Sequence, residues 1–133
     1  MLRLDDLVRY RLDSAKERLD SAKILLEAEQ YKDSIGRSYY AIFTAVRAVL
    51  AKDEVDFSKH AGVISYFQRE YIKTGIFEKK FSKYLQEAFQ IRNNCDYDDF
   101  YIVCKDDAVE QLARAEEFYQ VVSQYLSDDI CKN

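Results

Sequence analysis

The chain has no proline and only 3 glycines in 133 residues. Little in it can interrupt a helix, and the turns that a strand-rich fold requires would be hard to build. Tryptophan is absent, and histidine occurs once. The cysteines, Cys95, Cys104 and Cys131, are odd in number and form no CxxC pair. A disulfide framework or a zinc site does not follow from them, and reduced thiols in a cytoplasmic protein are the expectation. No stretch approaches the roughly 18 uninterrupted apolar residues of a membrane span. The opening residues, MLRLDDLVRYRLDSAK, are charged from the third position and hold no apolar leader core. No Gly-rich phosphate loop, no HExxH and no locally supported Ser/Cys–His–Asp pattern occurs, so no self-sufficient catalytic constellation is visible.

What is present fits one globular domain over residues 1–133. The hydrophobic fraction is 48% and the charged fraction 33%, a balance suited to a packed core rather than to disorder. The 11 tyrosines and 8 phenylalanines suit rings buried at the rim of a core or interface, with hydroxyls left wet. A net charge of −4 and a pI near 5.1 argue against a broad nucleic-acid-binding face. They leave room for a small local basic site.

Apolar residues set the architecture. Leu4, Val8, Leu12, Ala15, Leu19, Ala22 and Leu26 recur at three- and four-residue steps, as do Ala108, Leu112, Ala115, Tyr119, Val122 and Leu126. Each set is one stripe of a long amphipathic helix, and matched stripes predict first and last helices packed antiparallel in a bundle. Asp106 or Asp107 is positioned to cap the last one. Residues 33–52 are apolar nearly all round (Ile35, Tyr39, Tyr40, Ile42, Phe43, Val46, Val49, Leu50), which predicts a central helix. The stretch 53–56 breaks it, Ser58 is a candidate N-cap for a third helix, and Gly75 marks the next turn. A fourth helix is predicted over 78–93, closed by Arg92. The Asn/Asp-rich tract 93–101 follows as the longest irregular piece. The expected fold is all-α, an up-and-down bundle of four to five helices.

Few residues offer chemistry. The single histidine, His60, lacks neighbouring ligand residues in the sequence, so it makes a poor metal site. Capping or interhelical hydrogen bonding competes there with acid–base work or RNA contact. Arg37 and Arg47 lie on the apolar central helix, where each must pair or reach water. An interhelical ion pair with Glu27, Asp33 or Glu116 is one reading and a functional cation the other. Arg92 has two accounts: a cation favoured at a helix C-terminus, or a fork offering two donors to a phosphate. No metal or cofactor is expected.

The string Asp33-Ser-Ile-Gly-Arg-Ser-Tyr-Tyr-Ala-Ile-Phe-Thr-Ala-Val-Arg-Ala-Val-Leu50, then Ser58-Lys-His-Ala-Gly-Val-Ile64, resembles the HEPN domain family. Arg92-Asn-Asn-Cys-Asp-Tyr97 and Ala115-Glu-Glu-Phe118 continue the match, which runs from Ala15, Ala22, Leu25 and Leu26 to the last helix. By pattern the chain is similar to small stand-alone HEPN proteins paired with a minimal nucleotidyltransferase.

That resemblance implies a helical bundle that forms a homodimer, with the segment from Arg92 to Tyr101 near the shared cleft. It also implies a minimal nucleotidyltransferase partner, RNA or a nucleotide as ligand, and no membrane. In active members it implies a metal-independent RNase whose motif is an Arg and a His separated by roughly four to six residues. There the Arg steadies the scissile phosphate and the His moves a proton. Arg92 matches the Arg. Tyr97 stands where the His belongs, with Asn93 and Asp96 as polar neighbours, and no histidine follows His60. Arg37, Lys59 and His60 are candidate binding residues. Some members carry a tyrosine, two residues beyond that His, which the partner adenylylates. Here the slot is Asp99, flanked by Tyr97 and Tyr101 as modification candidates. The expectation is a HEPN component of a toxin–antitoxin-type pair with a degenerate RNase motif, binding its partner, a nucleotide or RNA. The alternative is an active RNase toxin using Arg92 and neighbouring polar residues.

Overall fold

A computed structural model describes residues 4–131, and the side chains of residues 5–128 within that span. The side chains of Leu4 and Cys131 therefore lie outside the described residues. Five α-helices and one π-helical turn appear: α1 Leu4–Glu27, α2 Tyr31–Lys52, α3 His60–Phe67, the π turn Gln68–Ile72, α4 Lys79–Tyr97 and α5 Lys105–Cys131. No strand occurs among the described residues.

Cross-helix contacts give the directions. Ser34 Oγ donates to the Ala22 carbonyl at 2.8 Å, and Arg11 Nη1 to the Arg47 carbonyl at 2.8 Å, so α2 runs back along α1. Tyr39 meets Phe89 at 5.9 Å between ring centroids, while Asp96, farther along α4, lines a cleft with Lys32, Asp33 and Gly36, nearer the start of α2, so α4 runs against α2. Tyr84 donates to Glu117 at 3.0 Å and Arg114 to Glu87 at 2.5 Å, which turns α5 back along α4. The result is an up-and-down bundle whose first and last helices are antiparallel.

The reversal after α1 is a tight one. Glu29 takes a left-handed φ of 64°, Gln30 N–H reaches the Leu25 carbonyl at 2.8 Å, and Glu29 N–H reaches that of Leu26 at 3.0 Å. This is the Schellman closure that usually carries glycine. The end of α2 repeats it at Glu54, with φ 59° and Val55 N–H on the Leu50 carbonyl at 3.0 Å.

As expected, α2 is the hub. Ile35, Tyr39, Ile42, Val46, Val49 and Leu50 are buried, and Ala41, Ala45 and Ala48 let neighbouring helices approach closely. Val8, Ala15, Leu19 and Ala22 of α1 cover one side; Ala108, Leu112, Ala115, Val122 and Leu126 of α5 cover another. Phe118, outside the α5 stripe, is fully buried and meets Phe67 and Phe81 at 5.9 and 5.5 Å.

Four local expectations need correction. Helix α4 does not stop at Asn93 but continues through Tyr97. Side-chain pairs one turn apart, Gln90 with Asn94 at 3.0 Å and Arg92 with Asp96 at 3.2 Å, hold this last turn against the loop preference of its Asn and Asp residues. Arg92 is thus inside the helix rather than closing it. Helix α3 is preceded by Lys59 rather than Ser58 and has no capping side chain. Asp107 does not sit before α5. It lies in the first turn and accepts the Cys104 N–H at 2.9 Å, the back-bonding half of a capping box. Finally, Arg47 pairs with Asp56 at 3.1 Å, while Arg37 is exposed and has no ion-pair partner among the described residues.

Candidate anion-binding site

Helix α2 turns the paired tyrosines of Arg37-Ser-Tyr-Tyr toward α4. Tyr39 is fully buried, and burial raises the pKa of its hydroxyl. Tyr40, one residue on, keeps its hydroxyl at the edge. Arg92 of α4 lies over both rings, its guanidinium carbon 5.4 Å from the Tyr39 centroid and 5.2 Å from that of Tyr40. Nη2 donates to the Tyr40 hydroxyl at 2.5 Å and Nη1 to Asn93 Oδ1 at 2.9 Å. Asp96 stands 3.2 Å from Nε, an ion pair whose angle does not make a hydrogen bond, so that Nε donor stays unsatisfied. Only 13% of the Arg92 side chain is exposed. A guanidinium has five donors, so this one keeps donors in reserve.

Arg92 opens on a cleft of about 500 Å³ that also takes in Lys32, Asp33, Gly36, Arg37, Tyr40 and Asp96. Three cations face two carboxylates there, in a chain of net negative charge. Gly36 forms part of the wall. A Cβ added to it would meet nothing within 4 Å, so nothing in this chain requires glycine there. Glycine inside a helix costs roughly 0.5–1 kcal/mol relative to alanine, so the open notch comes at the expense of stability.

The other candidates disperse. Tyr97 ends α4 with 79% of its surface exposed, and five helical residues place it about 140° around the axis from Arg92. The residue brought beside Arg92 is Asp96, one turn on, together with Asn93. Tyr101 is half-buried in a neighbouring groove with Tyr31 and Lys32. His60 begins α3 and meets the same aromatic wall from another side: its Nδ1 lies 3.1 Å from the Tyr39 hydroxyl, and its ring lies 4.2 Å from that of Phe43. Burial, then Arg92 and Arg47, hold its pKa below the ordinary range. Lys59 is exposed next to it.

Sequence reasoning missed Tyr39, Tyr40, Lys32 and Gly36 as site residues. The available signal was the doubled tyrosine on a buried helix, because two adjacent hydroxyls cannot both be hidden without partners. Among the described residues no group of His, Cys, Asp and Glu could hold a metal ion, and no helix is long and apolar enough to cross a membrane.

The HEPN domain model matches residues 8–125. The chain belongs to the HEPN domain family. A UPF0332 protein of Thermotoga maritima is 32% identical over 124 residues, covering 93% of this chain and 94% of its own. Two proteins of Methanocaldococcus jannaschii carry toxin names. "Putative toxin MJ0142" is 30% identical over 86% of this chain and 78% of its own length. "Putative toxin MJ0605" is 35% identical over 68% and 67%. The family model spans α2, α3, α4 and most of α5, so this HEPN domain includes the whole Arg92 cleft.

Proposed function

We propose that this HEPN protein is the HEPN component of a toxin–antitoxin-type pair with a minimal nucleotidyltransferase, and that it binds RNA or a nucleotide through the Arg92 cleft. The observation that carries the reading is the convergence of Arg92, Arg37 and Lys32 on one cleft in an acidic chain, with Arg37 unpaired among the described residues. Arg92 offers planar, paired donors to a phosphate. Cleavage is a separate matter. A positioned proton-transfer group contributes about 10²–10⁴-fold, and Tyr97, a phenol where that chemistry uses an imidazole, is turned away from Arg92. The protein therefore binds rather than cuts. A homodimer suits the exposed Tyr97, Phe100 and Ile102 beside the cleft, since aromatics favour interface cores.

The toxin names of the two archaeal relatives fit a toxin–antitoxin pair and are compatible with the alternative too, an active RNase. One pair of measurements separates the two. Fluorescence anisotropy with a labelled single-stranded oligoribonucleotide should give Arg92-dependent binding, lost in Arg92→Ala. A cleavage assay in chelator should give intact RNA. Metal-independent cleavage by the wild type that disappears in Arg92→Ala would establish the RNase instead. Absence of binding in both would overturn the site.

A further inference from the structure

His60 does not open into the Arg92 cleft. It lines a separate one of about 420 Å³, behind the Tyr39 ring, with Phe43, Arg47, Asp56, Ser58 and Lys59. We propose that this second cleft is an anion site that takes a phosphate group, free or within a phosphodiester, between His60, Lys59 and Arg47.

Charge comes first. Arg11 and Arg47 both lean on the single carboxylate of Asp56, at 3.4 and 3.1 Å, and Lys59 has no ion-pair partner among the described residues. Three cations thus meet one anion, and that anion is already engaged twice. Asp56 also accepts the Phe57 N–H at 2.9 Å, so its charge is shared among three donors. The donors come next. The hydrogen bonds of Arg47 to Asp56 run through Nη2, its Nε is buried without an acceptor, and 37% of its side chain remains exposed. His60 is held by Nδ1 on the Tyr39 hydroxyl, by its ring against Phe43, and by edge contacts with Tyr40 and Phe89. Its Nε2 is the ring atom left for a ligand. No side chain caps α3 and no acid lies in its first turn, so Asp56 is the one carboxylate lining the cleft that an incoming anion must compete with. Ser58 adds a hydroxyl at the rim.

His60 is the chain's one histidine, which makes it both a ligand and a unique reporter. The charged and titratable groups facing it are Tyr39, Tyr40 and Arg47 of α2, Arg92 of α4, and Asp56 and Lys59 of the segment before α3. The two arginines resist its protonation, and a bound phosphate would reverse that bias.

The proposal stands whether or not the Arg92 cleft binds RNA, and its test keeps the two apart. The imidazole signals of the full chain are followed by NMR against pH at constant ionic strength. The additions are inorganic phosphate, adenosine monophosphate and a single-stranded oligoribonucleotide. Inorganic phosphate should raise the apparent pKa of His60 by about half a unit or more. The rise should persist in Arg37→Ala, which alters only the other cleft, and vanish in Lys59→Glu, an exposed substitution that leaves the core intact. A rise with phosphate and not with the oligoribonucleotide assigns the site to free phosphate, and a rise with both assigns it to a strand. A His60 pKa unmoved by all three additions, a rise that survives Lys59→Glu, or one that disappears in Arg37→Ala would overturn the proposal.

Discussion

Two clusters of tyrosines gather on helix α2, each around one charged group. At its C-terminal end Asp53 accepts the Tyr66 hydroxyl at 3.1 Å and the Tyr71 hydroxyl at 2.5 Å, and Lys52 stands 3.6 Å away. Lys52 in turn donates to the Tyr125 hydroxyl at 3.1 Å. Burial and the Asp53 hydrogen bond raise the Tyr71 pKa, so the phenol stays a donor. Near the other end Arg92 is surrounded by Tyr39, Tyr40, Asn93 and Asp96, yet keeps unsatisfied donors and adjoins two further cations. The materials are similar and the outcomes opposite. The carboxylate's partners neutralise it and face inward, so that cluster ties α2 to the π turn and α5. The guanidinium is held in place but not saturated, which is how a binding group differs from a structural one.

The largest expected effect lies at the closed cluster. Tyr71→Ala, which removes a buried ring stacked on Phe67 and tilted against Phe77, should cost about 3–5 kcal/mol in urea unfolding. Tyr71→Phe should cost about 1–2 kcal/mol, because only the hydrogen bond to Asp53 is lost. A Tyr71→Ala protein as stable as the wild type would dissolve the contrast. At the open cluster the effect should fall on binding. Arg92→Lys keeps the charge and loses the fork, and should weaken oligoribonucleotide binding roughly tenfold with a small change in melting temperature. Asp96→Asn removes a half-exposed competing carboxylate and should tighten the same binding about fivefold, the equivalent of about 1 kcal/mol in a water-like dielectric.

A smaller effect distinguishes the ends by pH. The folded-state pKa of His60 lies below its ordinary 6.5. As pH falls through 6.5 the unfolded chain takes up the proton first, and stability declines until the folded pKa is passed. Urea midpoints at pH 7.5 and 5.5 should therefore differ in the wild type and differ less in His60→Gln. Asp56, whose pKa is depressed despite its burial by the Phe57 N–H, Arg47 and Arg11, weakens the fold only below its ordinary 3.8, outside that window.

Smallest of all, Glu29 and Glu54 hold the left-handed positions after α1 and α2. A non-glycine residue there costs about 1–2 kcal/mol, and glycine's extra chain entropy returns about 0.5–1 kcal/mol of that. Glu29→Gly and Glu54→Gly should each raise stability by about 0.5–1 kcal/mol in thermal unfolding. An equal gain at both would show that the groove beside Glu29 places no demand on it.

The fold was readable because its signals are local and repeated. Without proline, and with Val8, Ala15, Leu19 and Ala22 on one stripe and Ala108, Leu112, Ala115, Val122 and Leu126 on another, the chain has few alternatives to a bundle. Ile35 to Leu50 could only be central, because a helix apolar on all sides must be covered on all sides. The end of α4 was misread for a local reason. Asn and Asp favour loops when nothing else holds them, and here pairs one turn apart do.

The site was legible only as parts. Arg92 was singled out from the sequence, and its linear neighbour in the motif was Tyr97. Of the neighbours the sequence offered, Asp96 stays beside it because helical continuation aligns residues four apart, and tertiary structure added Tyr39 and Tyr40 because α2 and α4 pack together at that level. His60 sits 21 positions from Tyr39, and the sequence holds no sign that they share a hydrogen bond. The sequence by itself determined which surfaces had to be buried, since burial follows from periodicity. Which charges are saturated and which keep donors to spare was decided only in three dimensions, because hydrogen-bond partners are set by packing across helices and not by spacing along them.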